Sequence, residues 1–439
     1  MRKLLLGIVA VVSVALLYYF TAGYKKITEE IRQEVNSEIL ALNEHGFNIK
    51  KDDIDITKEH FEIDFNDTKK IETFLRENGI DDIDRQVLEM LKGAILGVDI
   101  SYNPSPTKAV AMDIYPIKLP TDLDVFAKSG ENEFLSEIDD MLQKREILAH
   151  LEINKLVSAF DGYIKDIKKD EFKLSGFKFK GDLYDFNIGK ISSNVDYLEA
   201  KFIDNVFKVY NYKSDIKNPL DRFNSKTIYS VETLSVIDNL DEITCKNLYG
   251  SSNSNLNNDK LVNIVSKLSC MELIIQGKLN ENIKLRNIDM NIEVKNLSSE
   301  IFNKLNSFGE SNESEGIEDI LYIIKKLAKD NFRVDIPKVA ISNVVIDKRE
   351  MEGINLDASL YLDKNKTNLF QIDDSKDLLN TLIVNLNIEA SNELVSFLST
   401  NPNIMVLMMI LTPVDKNGKK AYSIELINGE FKVNGNSIF

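Results

Sequence analysis

The sequence has little of the chemistry that usually builds a catalytic or metal site. Its 439 residues include no tryptophan, two cysteines, three histidines and eight prolines. The histidines (His45, His60 and His150) lie far apart along the chain, and the cysteines lack the spacing of zinc ligands. No nucleophile elbow, P-loop, dinucleotide-binding glycine run or EF-hand loop is present. We therefore expect a non-enzymatic protein that uses no metal and no cofactor.

Basic surface is also scarce. The chain has 54 lysines and arginines against 70 acidic residues, a net charge of −16. A nucleic-acid-binding face needs a basic surface that displaces counterions from phosphates, so nucleic acid is excluded as a general partner. With so many acids, pairs such as Asp81-Asp82 and Asp139-Asp140 are expected to be solvated turns rather than acid/base pairs in a cleft.

A long run without a charged residue lies at the N-terminus. Leu4 to Tyr24 would form a helix long enough, at about 1.5 Å per residue, to cross a hydrocarbon core of about 30 Å. Lys25-Lys26 follows this run, and aromatic residues cluster at its end, where headgroups would lie. The predicted span comprises Leu4, Leu5, Leu6, Ile8, Val9, Val11, Val12, Leu16, Leu17, Tyr18, Tyr19 and Phe20.

The short basic tail before this run favours a cytoplasmic N-terminus and an exported body. The expected localisation is thus a bacterial inner membrane, single-pass, with a periplasmic body and the lipid bilayer as a partner. Thr21-Ala22-Gly23 offers small residues where a peptidase could cut, so a cleaved signal peptide is the alternative. In either case the two cysteines, Cys245 and Cys270, could form a disulfide or stay as two reduced, buried thiols.

Alternation of apolar and polar residues dominates the rest of the chain. A stripe of aliphatic residues four apart first predicts a helix ending at Gly46, which docks on the body or forms a dimer seam. In segments such as Ile354 to Leu362, apolar and polar residues then alternate strictly, as in strands with one solvent-exposed face. Asn428-Gly429 predicts a C-terminal hairpin, and Gly250 to Lys260 a polar loop.

The fold class we predict is α+β. An N-terminal transmembrane helix would precede a β-rich body of antiparallel sheets, each with one apolar face, and a few packed helices. The predicted parts are a membrane anchor (1–26), a juxtamembrane helix (27–46), a small α+β unit (47–122), an antiparallel β meander with helices (123–309) and a C-terminal α+β unit (310–439).

Three segments in order resemble one known family. They are Phe172-Lys-Leu-Ser-Gly-Phe-Lys-Phe, Phe332-Arg-Val-Asp-Ile and Tyr422-Ser-Ile-Glu-Leu-Ile-Asn-Gly-Glu-Phe-Lys-Val. With the N-terminal run, their order resembles the YdgA-like family of bacterial inner-membrane-anchored proteins, which contain a domain of unknown function. The resemblance implies an anchored envelope protein and brings no active site. The helices predicted between Asn392 and Leu411 look shorter and more apolar than that pattern.

The remaining functional signal is apolar surface. The predicted sheets each have one apolar face, and few helices are available to cover these faces. This pattern predicts binding of lipid or another hydrophobic ligand. The alternative is a structural or assembly scaffold whose partner is another envelope protein. The candidate surface for either is the Met-rich run after Pro402, because methionine adapts to varied partners. Its candidate residues are Met405, Leu407, Met408, Met409 and Leu411.

Overall fold

The computed structural model divides the chain into two compact units, Met1–Arg222 and Phe223–Phe439. It describes residues 29–77, 88–89, 91–118, 120, 144–168, 172–184, 187–201, 205–221, 223–238, 241–277, 282–308, 317–362, 380–401, 405 and 411–437. The predicted boundaries near 122 and 309 do not separate these two units.

Unit 1 is built on an antiparallel sheet. Its strands are β1 (Phe47–Asp55), β2 (Lys58–Phe65), β3 (Ile95–Ser105), β4 (Lys108–Lys118), β5 (Ala149–Asn154), β6 (Ala159–Ile164), β7 (Ile167–Lys168), β8 (Phe172–Ser175), β9 (Lys178–Tyr184), β10 (Asn187–Lys201) and β11 (Val206–Lys217). Each of β1 to β5 pairs with the next, β6 pairs with β5 and β9, and β10 pairs with β8, β9 and β11.

Helix α2 (Thr68–Glu77) covers the apolar face of this sheet. Asp67 begins the helix, because its carboxylate accepts hydrogen bonds from the backbone N–H groups of Lys69 and Lys70 at 3.2 Å. Ile71, Phe74 and Leu75 repeat at helical spacing and are buried against the sheet. The opposite face of the sheet is left polar.

Helix α1 (Glu29–Ala41), with the 3₁₀ turn Leu42–His45 after it, docks on the same unit. Gly46 ends the turn with φ of 97°, as a glycine at a helix end does. The side chain of Glu59, fully buried, accepts hydrogen bonds from Arg32 at 2.7 Å and Asn36 at 3.0 Å. The helix therefore packs on the body of its own chain.

Unit 2 is a meander of long antiparallel strands. They are β12 (Lys226–Ile237), β13 (Asp241–Leu256), β14 (Leu261–Gly277), β15 (Asn282–Ser298), β16 (Arg333–Ile346), β17 (Arg349–Leu362), β18 (Leu382–Ser391), β19 (Val414–Lys416), β20 (Lys419–Ile427), β21 (Glu430–Val433) and β22 (Asn436–Ser437). From β12 to β18 each strand pairs with the next, and β18 then pairs with β20. Helices α3 (Ser299–Phe308), α4 (Ile317–Lys329) and α5 (Asn392–Leu398) pack against it.

Asparagines with a left-handed backbone conformation lie within these strands, and the strands continue through them. Asn247 of β13 has φ of 52° and Asn287 of β15 has φ of 50°. The pairing continues in the same register on both sides of Asn247, where Lys246 opposes Glu272 and Leu248 opposes Cys270. Each such residue shifts the alternation of faces by one position, so apolar residues on one face are three apart there rather than two.

The predicted α+β class is wrong. Strands make up about two thirds of the structure and helices about 15%, so the fold is almost entirely antiparallel sheet. Where the alternation of apolar and polar residues shifts by one position, the sequence of one long strand resembles that of two short strands. The length of the strand is therefore not evident from the sequence. The predicted polar loop Gly250 to Lys260 shows this, since β13 continues to Leu256 and only the residues after it turn.

The prediction of an N-terminal transmembrane helix is also contradicted. No helix in the described part of the chain is long and apolar enough to cross a membrane. The longest, α1 and α4, have 13 residues, about 20 Å at 1.5 Å per residue, whereas a span needs about 20 residues. The single-pass inner-membrane localisation depended on such a helix and is contradicted with it. The residues of the predicted span, Leu4 to Phe20, lie outside the described ranges.

Candidate functional site

A row of apolar side chains crosses the sheet of unit 2. Directly opposed residues on consecutive strands form it, and we call this set the apolar row: Leu268, Met290, Val339, Leu356 and Ile388. All five side chains are half-buried. The first and last lie four strand spacings apart, about 19 Å at 4.8 Å per spacing.

Helices cover the sheet on both sides of the apolar row. On one side α3 and α4 pack through Ile301 and Ile323 onto Val262 and Leu297. On the other side Leu394 of α5 packs on Val344 and Met351. The apolar row between these two clusters has no member among the buried core residues. The row therefore belongs to a part of this face that remains partly open to solvent.

Tyr422 of β20 lies at the end of the apolar row, directly opposite Ile388. Its side chain is only 9% exposed, and burial raises the pKa of its hydroxyl. The hydroxyl oxygen is buried and has no hydrogen-bond partner among the described residues. A buried hydroxyl left unpaired costs about 1–3 kcal/mol, so an acceptor placed there would be stabilised.

The predicted Met-rich surface is only partly described. The side chain of Met405 is 43% exposed and that of Leu411 is half-buried. Leu407, Met408 and Met409 lie outside the described residues. Sequence patterns did not single out the apolar row or Tyr422. The signal available in the sequence was the spacing of apolar residues. On several strands, apolar residues three apart, such as Cys245 and Leu248, lie on one continuous face.

Cys245 and Cys270 are joined by a disulfide, with their Cα atoms 6.5 Å apart. Cys270 opposes Leu248, and residues 245 and 248 would lie on opposite faces of a regular strand. The left-handed Asn247 between them turns both onto one face, which brings the two sulfur atoms together. The disulfide thus depends on this shift in β13.

The polar face of unit 1 carries two of the three histidines, His60 and His150. A line of opposed residues runs from β1 to β11 and begins with acids and histidines and ends with lysines: Asp52, His60, Asp99, Asp113, His150, Tyr163, Lys178, Asn194 and Lys213. The Nδ1 atom of His60 lies 2.7 Å from Asp99, and that of His150 lies 2.6 Å from Asp113.

Each histidine has a second carboxylate near its other ring nitrogen. His60 Nε2 is 4.0 Å from Glu62, and His150 Nε2 is 3.5 Å from Glu152. Tyr115 also donates to Asp99 at 3.1 Å, and burial together with that carboxylate raises its pKa to about 12. A general base needs one nitrogen directed at a substrate proton. These histidines instead direct both nitrogens towards carboxylates of the sheet.

Metal ligation finds no support in the described residues, where no group of three or more His, Cys, Asp or Glu side chains could hold an ion. Comparisons with family models, curated proteins and solved structures give no match to this chain. The resemblance to the YdgA-like family therefore stays a prediction, and the site rests on the geometry of this chain alone.

Proposed function

We propose that unit 2 binds a fatty acyl chain along the apolar row without chemical conversion. The ligand would lie across β14 to β18, with its oxygen-bearing end at Tyr422. Half-buried aliphatic side chains favour such a ligand because covering apolar surface contributes about 25 cal/mol per Å². Polar residues such as Asp289 and Asn355 follow the opposite face of the same strands, so the apolar contact is one-sided.

The observation that carries this proposal is the buried hydroxyl of Tyr422 at the end of the apolar row, which has no hydrogen-bond partner among the described residues. An apolar face alone would fit a plain core or a scaffold contact equally well. An unpaired donor beside it favours a ligand with an acceptor oxygen at one end, as in a carboxylate or an ester. The Tyr422 hydroxyl would donate a hydrogen bond to that oxygen.

Binding is tested with the full chain and a fluorescent fatty acid that palmitate displaces. We expect Leu356→Asn to weaken palmitate binding about tenfold, because a polar group then lies in the apolar row. Tyr422→Phe should weaken it about threefold to tenfold through loss of one hydrogen bond. Asn355→Ala, one residue away on the opposite face, is the matched control and should leave binding unchanged.

Native mass spectrometry of the purified chain provides a second measurement, with co-purified lipid as the expected result. The proposal is wrong if palmitate fails to displace the probe and no lipid co-purifies. Association of such a lipid-free chain with itself or with another protein would then favour the scaffold role.

A further inference from the structure

A concavity of about 860 Å³ lies on the polar face of unit 1. Strands β5, β6, β9, β10 and β11 line it with two lines of opposed side chains. The first holds His150, Tyr163, Lys178, Asn194 and Lys213. The second holds Glu152, Asp161, Lys180, Ser192 and Asp215.

The carboxylates of this concavity are already paired. Lys108 lies 2.7 Å from both Glu152 and Asp161, and Lys190 lies 3.1 Å from Asp215. The hydrogen bond from Lys108 lowers the pKa of Glu152, and those from Ser192 and Lys190 lower the pKa of Asp215. Lys108 and Lys190 thus supply the close cations for these acids, and Lys180 adds only a longer-range attraction that also lowers the pKa of Asp215.

Three lysines of the concavity form no ion pair within the described part of the chain: Lys178, Lys180 and Lys213. Lys178 and Lys180 are two residues apart on β9, about 7 Å. Lys178 and Lys213 both oppose Asn194, one from each side, which separates them by about 10 Å. All three are exposed. In a chain of net charge −16, three neighbouring ammonium groups that have no carboxylate within ion-pair distance among the described residues favour an external anion.

We propose that this concavity binds a soluble small molecule with two or more anionic groups, phosphates or carboxylates. Lysine ammonium groups act as point charges towards such groups, and their spacing suits several charges better than one. Tyr163 adds a hydroxyl donor at the edge of the lysine cluster. This site does not depend on the apolar row, since the two lie in different units.

The test is isothermal titration calorimetry of the full chain at low ionic strength, with inorganic pyrophosphate and, separately, with citrate. Binding of either probe is expected, and the stronger one identifies the anionic group. Each single variant, Lys178→Gln, Lys180→Gln or Lys213→Gln, should weaken binding about threefold, and the triple variant about tenfold or more. Added salt should weaken binding to the unmodified chain, because these charges are exposed.

The matched control is the triple variant Lys226→Gln, Lys267→Gln and Lys348→Gln, which changes the net charge equally through exposed lysines of unit 2. It should bind as the unmodified chain does. Protection from acetylation gives an independent readout, in which the probe should shield Lys178, Lys180 and Lys213 but not Lys226. Absence of binding by both probes, or equal loss in the control, would overturn the proposal.

Discussion

At the scale of single residues, Glu59 shows how a buried charge is tolerated. Burial by itself would raise the pKa of this carboxylate. Hydrogen bonds from Asn36, Tyr102, Arg32 and Lys51 outweigh burial and lower its pKa to about 2. The carboxylate thus joins helix α1 to strands β1 and β3 as an anion. A buried ion pair is weak evidence of stability, but removing one partner leaves the others unpaired.

We predict that Glu59→Gln lowers the free energy of unfolding by about 2–3 kcal/mol at pH 7, because Arg32 and Lys51 lose their counterion. Urea unfolding measures this change. Glu62→Gln, on the polar face of the same strand, is the control and should change stability by less than about 0.5 kcal/mol.

The same residue predicts a pH dependence. Its pKa lies near 2 in the folded chain and near its ordinary value of 4.5 in the unfolded chain. The stabilisation is therefore complete above pH 4.5 and is lost as the pH falls towards 2. The difference between the unmodified chain and Glu59→Gln should shrink across that window. A difference that stays constant down to pH 2 would contradict the assignment of an ionised Glu59.

At the scale of elements, the long strands of unit 2 depend on residues that sequence propensity disfavours. Ser251 to Asn253 has little β-propensity, yet it lies in β13 between two partner strands. Neighbouring strands supply its backbone hydrogen bonds, and Ser252 bonds Ser266 at 3.0 Å. Long-range pairing overrides the local preference there. The sequence cannot show this, because the partners are distant along the chain.

We predict that Asn247→Ala destabilises the chain by about 1–2 kcal/mol, while Asn247→Gly is close to neutral. A residue with a Cβ atom loses roughly this much free energy of unfolding at positive φ, and asparagine adopts this backbone conformation more readily than alanine. Urea unfolding of both variants tests this, with Asn255→Ala in a regular part of β13 as the control. Equal effects of the alanine and glycine variants would contradict a backbone cause.

At the scale of the whole molecule, each unit has its own core. The largest cluster of buried residues runs from Ile39 to Ala200 within unit 1. The clusters under α3, α4 and α5 consist of residues from unit 2. Both cysteines of the disulfide also belong to unit 2. A unit with its own core and its own covalent link is expected to fold without the other.

We therefore predict that residues 223–439, produced alone under oxidising conditions, fold to a β-rich domain with a cooperative urea transition. Circular dichroism and urea unfolding test this, and titration of free thiols checks the disulfide. Residues 29–222 produced separately should also unfold cooperatively. Because they contain the buried Glu59, they should lose stability in acid. A non-cooperative transition for residues 223–439 would show that unit 1 is needed for their folding.

The sequence by itself determined what depends on composition and local pattern. It showed the acidic surface and the missing motifs, the end of a helix at Gly46, and antiparallel strands closed by the Asn428-Gly429 turn, since β20 and β21 pair across that turn. Tertiary structure alone decided the strand lengths, the almost all-β class, the pairing of Cys245 with Cys270, the burial of Tyr422 and the grouping of three lysines in one concavity. The physical reason is that a local pattern sets only the period of side chains along a strand. Which strands meet, and in what register, depends on non-local hydrogen bonds and packing, and a left-handed residue such as Asn247 changes which face each later side chain occupies.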